Sequence, residues 1–318
     1  MDVHKIITFP TQKGYRRCLN CLMKDESSRA RAKILAALNT LIIPTEQYER
    51  FRKLLGNEKH HVSDEVTVRL HATDEIPWGV EQIGAPEYWE RTRGEGIKVA
   101  VIDTGISSGH PDLRGQVKGR VNIVKTGIAG HGTHVAGTIA AAANNRGIVG
   151  IAPAAHLYDV HVFSPDGTAR MSDIIRGINW AVEHRMNVIN MSFGASQPNR
   201  ALYHAIKQAS QAGIVLVASA GNSGGRLEYP AAYKEVIAVG AIDRQNKIAS
   251  FSSRGPGLVL APGVQIKSTW INNSYRVLDG TSMAAAHMSG LTALRLAAKG
   301  SRAPQSRPRR RERKLGSK

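Results

Sequence analysis

Residues 97–105 read IKVAVIDTG. Ile97–Ile102 is a short apolar run rich in β-branched residues, and Asp103 closes it against a Thr-Gly turn signal. That pattern predicts a buried strand delivering a carboxylate to a loop. Four runs downstream repeat the texture: Ala155–Val162, Val188–Met191, Ile214–Ala218 and Val236–Val239. Between them lie helix candidates at His131–Ala143, Ser172–His184 and Asn199–Gln211, and a last helix begins near Ser282. The alternation predicts an α/β fold over residues 73–300, a mostly parallel sheet with helices on both faces. Ligands on such sheets gather at the carboxyl ends of the strands. Asp103, Ser192 and Gly221-Asn222 each follow a strand, so three loops open on one edge.

Outward from this core the texture changes. Residues 1–72 read as a small α+β unit: a strand at His4–Phe9, a helix over Lys24–Leu38, a second helix over Thr45–Leu55 capped by Thr45, and a strand at Val66–Leu70. Residues 301–318, SRAPQSRPRRRERKLGSK, have no apolar periodicity and read as a basic disordered tail. The 318-residue chain carries a net charge of +18, and the tail alone holds eight Lys and Arg against one Glu. A basic face over the whole molecule is therefore not required. With 42% hydrophobic residues the chain can bury a core, which excludes disorder throughout.

Two cysteines, Cys18 and Cys21, exclude a disulfide scaffold. With His60 and His61 they could make up a zinc set on paper, but the spacing matches no familiar finger, and two ordinary thiols are the reading preferred. The first residues lack the apolar stretch of a secretory signal, which predicts a cytoplasmic protein, or a secreted one if the start site is misassigned. The most apolar run, residues 213–220, is too short to cross a bilayer, so no membrane partner is expected.

Acyl transfer by serine needs a hydroxyl, an imidazole to take its proton, a carboxylate to hold the imidazole, and donors for the oxyanion. The candidates, in chain order, are Asp103 at a strand end, His131 in HGTHVAG, Asn222 in AGN, and Ser282 in GTSMA at a helix start. A serine opening a helix exposes its hydroxyl beside unpaired backbone N–H groups. Taken singly each has a plainer reading. Asp-Thr-Gly is a turn, Gly-Thr-Ser a helix cap, Asn222 a turn residue, and His131 with His134 lacks the glutamate of a zinc-binding H-E-x-x-H. Together, in this order, they point to one hydrolytic site.

With these motifs the sequence resembles the subtilisin-like serine proteases (subtilases, peptidase S8), from about Ile76 to about Ala298, passing through ASFSSRGP at 249–256 and APG at 261–263. The resemblance implies Ser282 as nucleophile, His131 as general base and then acid, and Asp103 as the orienting carboxylate. It implies the Asn222 side chain and the Ser282 N–H as oxyanion donors. Peptide substrate would add as a strand between Gly167-Thr168-Ala169 and Ser192-Phe193-Gly194, with a primary pocket walled by Ser219-Ala220-Gly221 and floored by Glu228. A glutamate there predicts a leaning toward Lys or Arg before the scissile bond, against the plainer reading of a solvent-facing glutamate. The resemblance further implies structural Ca²⁺ on the carbonyls of Ala142, Arg146 and Ile148, the Asn144 side chain, Asp112 and Asp74, with a weaker site near Ala231, Tyr233 and Val236. Residues 1–72 stand where the family carries its propeptide, an inhibitor of the chain's own cleft, and the chain is expected to be a monomer.

Two departures from the family pattern stand out. Ala286 replaces a usual proline, and the arginine-rich tail begins where further elements are usual. Three readings follow: a calcium-stabilised endopeptidase, a truncated inactive relative, and a protein whose basic tail binds nucleic acid or an acidic partner. The tail has no interleaved aromatic residue, which argues against nucleic acid.

Overall fold

The computed structural model describes residues 4–24, 31–66 and 73–300. The chain divides into two compact units, residues 1–71 and 72–318.

The first unit contains β1 (His4–Thr8), α1 (Gln12–Lys24), β2 (Lys33–Leu35), a 3₁₀ turn at Ala36–Leu38, β3 (Thr40–Pro44), α2 (Thr45–Leu55) and β4 (His61–Asp64). Its strands form an antiparallel sheet in the order β2-β3-β1-β4. Ile7, Leu41 and Ile43 alternate onto one face, where Tyr15, Cys18 and Leu22 of α1 and Phe51 and Leu55 of α2 cover them. Three expectations are corrected here. The segment 33–38 is a strand and a 3₁₀ turn rather than helix, because its spaced apolar residues Ile34, Leu35 and Leu38 stay exposed and the backbone pairs with β3. Residues 25–30 of the expected helix lie outside the described residues, and a helix is found earlier, over Gln12–Lys24. Thr45 is the first residue of α2, whose N-cap is Pro44 with no side-chain cap, so Thr45 is not the cap. The closing strand is His61–Asp64; of the expected Val66–Leu70, Val66 is outside any strand and 67–70 lie outside the described residues, as does the tail.

The second unit opens with two short helices, α3 (Trp78–Gln82) and α4 (Ala85–Trp89). It continues through β5 (Lys98–Asp103), β6 (Val117–Asn122), α5 (Gly130–Ala140), β7 (His156–His161), α6 (Met171–Glu183), β8 (Val188–Met191), α7 (Arg200–Gln211) and β9 (Val215–Ser219). It ends with β10 (Val236–Ile242), β11 (Val259–Pro262), β12 (Ile266–Trp270), β13 (Ser274–Leu278) and α8 (Thr281–Gly300). Seven strands form one parallel sheet in the order β11-β10-β9-β8-β5-β7-β6, and β12 and β13 form a separate hairpin. Side chains on one sheet face meet α5 and α8 in a core of Val99, Val101, Ile139, Val217, Ala285 and their neighbours. The other face packs Ile102, Val160, Ile178, Ile189 and Ile206 with α6 and α7. Burial on both faces is why the strands read as continuous apolar runs.

Chain order reverses around β5, which lies between β7 and β8. Such a switch point leaves a crevice outside the strand ends, and Asp103 is the last residue of β5.

Candidate active site

Asp103 leaves β5 with its side chain almost fully buried, 3% exposed, and its Oδ1 accepts the Thr104 N–H at 2.7 Å. The His131 Nδ1–H faces both carboxylate oxygens, at 2.8 and 2.9 Å. His131 is the second residue of α5 and half-buried. Glycine permits this approach: a Cβ on Gly132 would lie 2.6 Å from the Gly105 carbonyl oxygen and 3.0 Å from Asp103 Oδ1. The Thr104 hydroxyl accepts the Gly132 N–H at 3.0 Å and ties the strand end to the helix start. Burial disfavours the charged imidazole, but the Asp103 charge and hydrogen bonds outweigh it and hold the His131 pKa above the ordinary histidine value.

Ser282 is the second residue of α8 and 8% exposed. Its hydroxyl donates to the Ser192 carbonyl at 3.2 Å, not to His131. A hydroxyl rotor re-aims at little cost, and catalytic hydrogen bonds often close only around substrate. Ser192 in turn lines, with Asp103, His131, Gly167, Phe193 and Gly194, a cleft of about 490 Å³. Behind the serine runs a buried polar chain the sequence reading missed. Ser289 Oγ donates to Asn190 Oδ1 (2.9 Å), Asn190 Nδ2 to Ser192 Oγ (2.9 Å), and Ser192 Oγ to the Ser282 carbonyl (3.1 Å). The links from Ser289 to Asn190 and from Ser192 to Ser282 each span 90 or more positions, so no local spacing announces them.

Asn222 is exposed beyond β9. Its Oδ1 accepts the Thr281 N–H at 2.9 Å and the Thr281 hydroxyl at 2.8 Å, which leaves Nδ2 to donate elsewhere. Thr281 Oγ1 also accepts the Gly221 N–H at 3.2 Å. The point where a Cβ on Gly280 would sit is 3.5 Å from Asn222 Nδ2 and 3.8 Å from the Ser282 nitrogen. Two nitrogens thus lie near one point beside Gly280. Gly280, at φ +152°, keeps that point free of a side chain.

The expected substrate walls come together in part. Gly167 lines the cleft, whereas Thr168 and Ala169 line a neighbouring pocket across the 163–169 loop. Thr168 closes that loop, its N–H on Asp166 Oδ1 (3.0 Å) and its carbonyl on the Ser164 N–H (2.9 Å). Ser219 ends β9, and its hydroxyl donates to the Phe193 carbonyl at 3.4 Å. Glu228 is half-buried and pinned at its backbone by the Ala220 carbonyl, 3.0 Å away. Its side chain lies between Gly194 and Gly221: a Cβ on Gly194 would overlap Glu228 Oε2, and one on Gly221 would lie 2.6 Å from its Cδ. Its carboxylate has no hydrogen bond or ion pair among the described residues.

The loop after α5 gathers the expected cation ligands. Asp112 Oδ2 accepts Ile148 N–H (3.0 Å) and Tyr275 O–H (2.8 Å), and Asp112 Oδ1 accepts Asn144 Nδ2 (3.3 Å). Asp74 Oδ1 accepts the N–H groups of Asn144 (3.1 Å) and Arg146 (3.0 Å). The carbonyls of Ala142, Arg146 and Ile148 accept no hydrogen bond among the described residues. These residues offer oxygen atoms only, the ligand type a hard cation takes, and Asn144 Oδ1 itself accepts the Arg146 N–H at 3.1 Å. Ala231 and Tyr233 are buried, and Val236 begins β10.

Two further histidines are structural. His134 Nε2 faces the carbonyls of Ile266 (3.0 Å) and Arg276 (3.1 Å), and His287 Nδ1 that of Met283 (2.8 Å). Burial pushes both pKa values down to about 4. Cys18 and Cys21 are free thiols, with burial pushing Cys18 up to about 11. Among the described residues no group of three His, Cys, Asp or Glu could hold a metal, and no helix is long and apolar enough to cross a membrane.

Residues 94–310 match the model of the subtilase family. The chain belongs to the subtilase family. The match ends at residue 310, twelve residues beyond Ala298, where motif reading placed the end of the resemblance. This subtilase is 45% identical over 227 residues to Subtilisin Savinase of Lederbergia lenta, covering 69% of the chain and 83% of the relative. It is 45% identical over 227 residues to M-protease of Shouchella clausii (strain KSM-K16), covering 69% of the chain and 59% of the relative. With Subtilisin E of Bacillus subtilis (strain 168) it shares 43% identity over 250 residues, 74% of the chain and 64% of the relative. It therefore spans about three fifths of the length of several of its curated relatives.

Proposed function

We propose that this subtilase is a serine endopeptidase. The observation that carries the reading is the His131 imidazole held through Nδ1 by both oxygens of Asp103, which leaves Nε2 as the basic nitrogen of a residue that lines the cleft. The Ser282 hydroxyl attacks the substrate carbonyl carbon and passes its proton to His131 Nε2. Asn222 Nδ2 and the Ser282 N–H receive the oxyanion. His131 then protonates the leaving amine, and the acyl group on Ser282 is transferred to water by the same steps in reverse order. Asp103 stabilises the imidazolium and fixes its tautomer without taking the proton.

Glu228, unpaired between two glycines, supports a primary pocket that prefers Lys or Arg. The oxygen set around Asp112 supports a structural Ca²⁺ held by Asp74, Asp112, Asn144 and the carbonyls of Ala142, Arg146 and Ile148, where it would brace the loop that continues from the His131 helix. Residues 1–72 are read as an inhibitory segment, supported by their compact sheet-and-helix unit and the division at 71. The test is peptide hydrolysis by the purified chain in calcium. Activity abolished by Ser282→Ala supports the assignment; a soluble chain that cleaves no peptide at any pH refutes it.

A further inference from the structure

The loop following β5 must present Asp103 to His131 within a few tenths of an ångström, yet it carries Gly105 at φ +88° and no regular structure. Its first residues are held from the cleft side: Thr104 Oγ1 accepts the Gly132 N–H, and Thr133 Oγ1 accepts the Ser107 N–H at 3.0 Å. From the opposite side the loop is gripped at Ile106. The Ile106 N–H donates to Asp159 Oδ2 at 3.0 Å, and the Ile106 carbonyl accepts from Arg120 Nη2. Arg120 Nε closes the figure on Asp159 Oδ2 at 2.7 Å. Asp159 is on β7 in register with Val101 of β5 and Arg120 of β6, so the sheet itself sets the spacing of the pair.

The Asp159 side chain is 1% exposed, and its Oδ1 has no hydrogen-bond partner. Burying the Asp159 carboxylate costs desolvation that an apolar residue of the same volume avoids, while the Arg120 side chain stays 34% exposed. We propose that Asp159 and Arg120 are a positioning pair: by holding both polar groups of Ile106 they fix the loop three residues beyond Asp103, and so the carboxylate against the His131 Nδ1–H. The proposal rests on the endopeptidase reading for its kinetic consequence but not for its geometric one.

The experiment uses the full chain with Asp159→Leu and Arg120→Met combined, which removes both charges and strands neither. The expected result is a melting temperature close to that of the parent, with kcat lowered on the order of 10²-fold, the cost of a small misplacement of a catalytic group, and KM unchanged. In a Ser282→Ala background, the downfield proton resonance of the His131–Asp103 hydrogen bond should broaden or move upfield. Asp159→Asn, which keeps an oxygen for the Ile106 N–H, should restore most of kcat and the resonance. Parent-like kcat and resonance in the double variant overturn the proposal. Should the double variant fail to fold, Arg120→Lys, which lacks the second donor for the Ile106 carbonyl, is read the same way. A parent chain that hydrolyses nothing sinks the endopeptidase reading alone, since the resonance still reports whether the pair positions Asp103.

Discussion

Thr281 turns the amide of Asn222. By giving both its N–H and its hydroxyl to Asn222 Oδ1, at 2.9 and 2.8 Å, it leaves the amide nitrogen to face the space beside Ser282. On the proposed mechanism that donor is fixed before substrate arrives, which makes such a group worth more to a transition state than to a ground state.

Asn222→Ala should therefore lower kcat and leave KM nearly unchanged. Removing such a donor from a subtilisin is known to cost roughly 10²–10³ in kcat, and a loss of that order is expected here. Steady-state kinetics on one peptide separates the two constants; a variant that loses only KM would mean Asn222 touches the ground state.

The pH dependence follows from Asp103. On the proposed mechanism protonated His131 cannot take the serine proton, and its pKa is held above the ordinary histidine value. The profile of kcat/KM should rise with pH through an inflection above about 6.5, the unperturbed histidine value. Asp103→Asn should move that inflection down and lower kcat steeply.

How far the sequence anticipates this geometry depends on where each signal lies. Asp103 is placed by the end of β5, and His131 and Ser282 by the first turns of helices, while the mostly buried strands β5, β8 and β9 announce themselves as short runs dominated by apolar residues. β6 does not: it is an edge strand alternating half-buried and exposed residues, with Lys118 and Arg120 within it. The hairpin β12–β13 is equally faint, since most of β13 is exposed. In the first unit, exposed Ile34, Leu35 and Leu38 imitate a helical stripe that tertiary pairing overrides. Thr281, Asn190 and Ser289 act through partners remote in sequence, where no motif can point.

Calcium should raise stability without touching the chemistry. A ligand bound only by the folded state adds about 2.7 kcal/mol at a hundredfold excess over Kd, several degrees in melting temperature for a domain of this size. Chelation should remove that increment, and Asp112→Asn should blunt it. A melting temperature indifferent to both calcium and chelator contradicts the assignment of the loop.

Glu228 makes specificity testable. Among peptides varying only the residue before the scissile bond, Lys and Arg should give the highest kcat/KM, and Glu228→Gln should erase the advantage over Leu. Equal rates for Lys and Leu in the parent would show that the carboxylate faces solvent during binding.

The central claim is that Ser282 is an activated nucleophile. A serine-directed phosphonate applied to the full chain in calcium, followed by mass spectrometry of the adduct, addresses it most directly. The account predicts one adduct, on Ser282, formed faster as His131 deprotonates and absent in His131→Ala and Ser282→Ala. Folded protein that stays unlabelled, or labels elsewhere at the same rate in both variants, would contradict it.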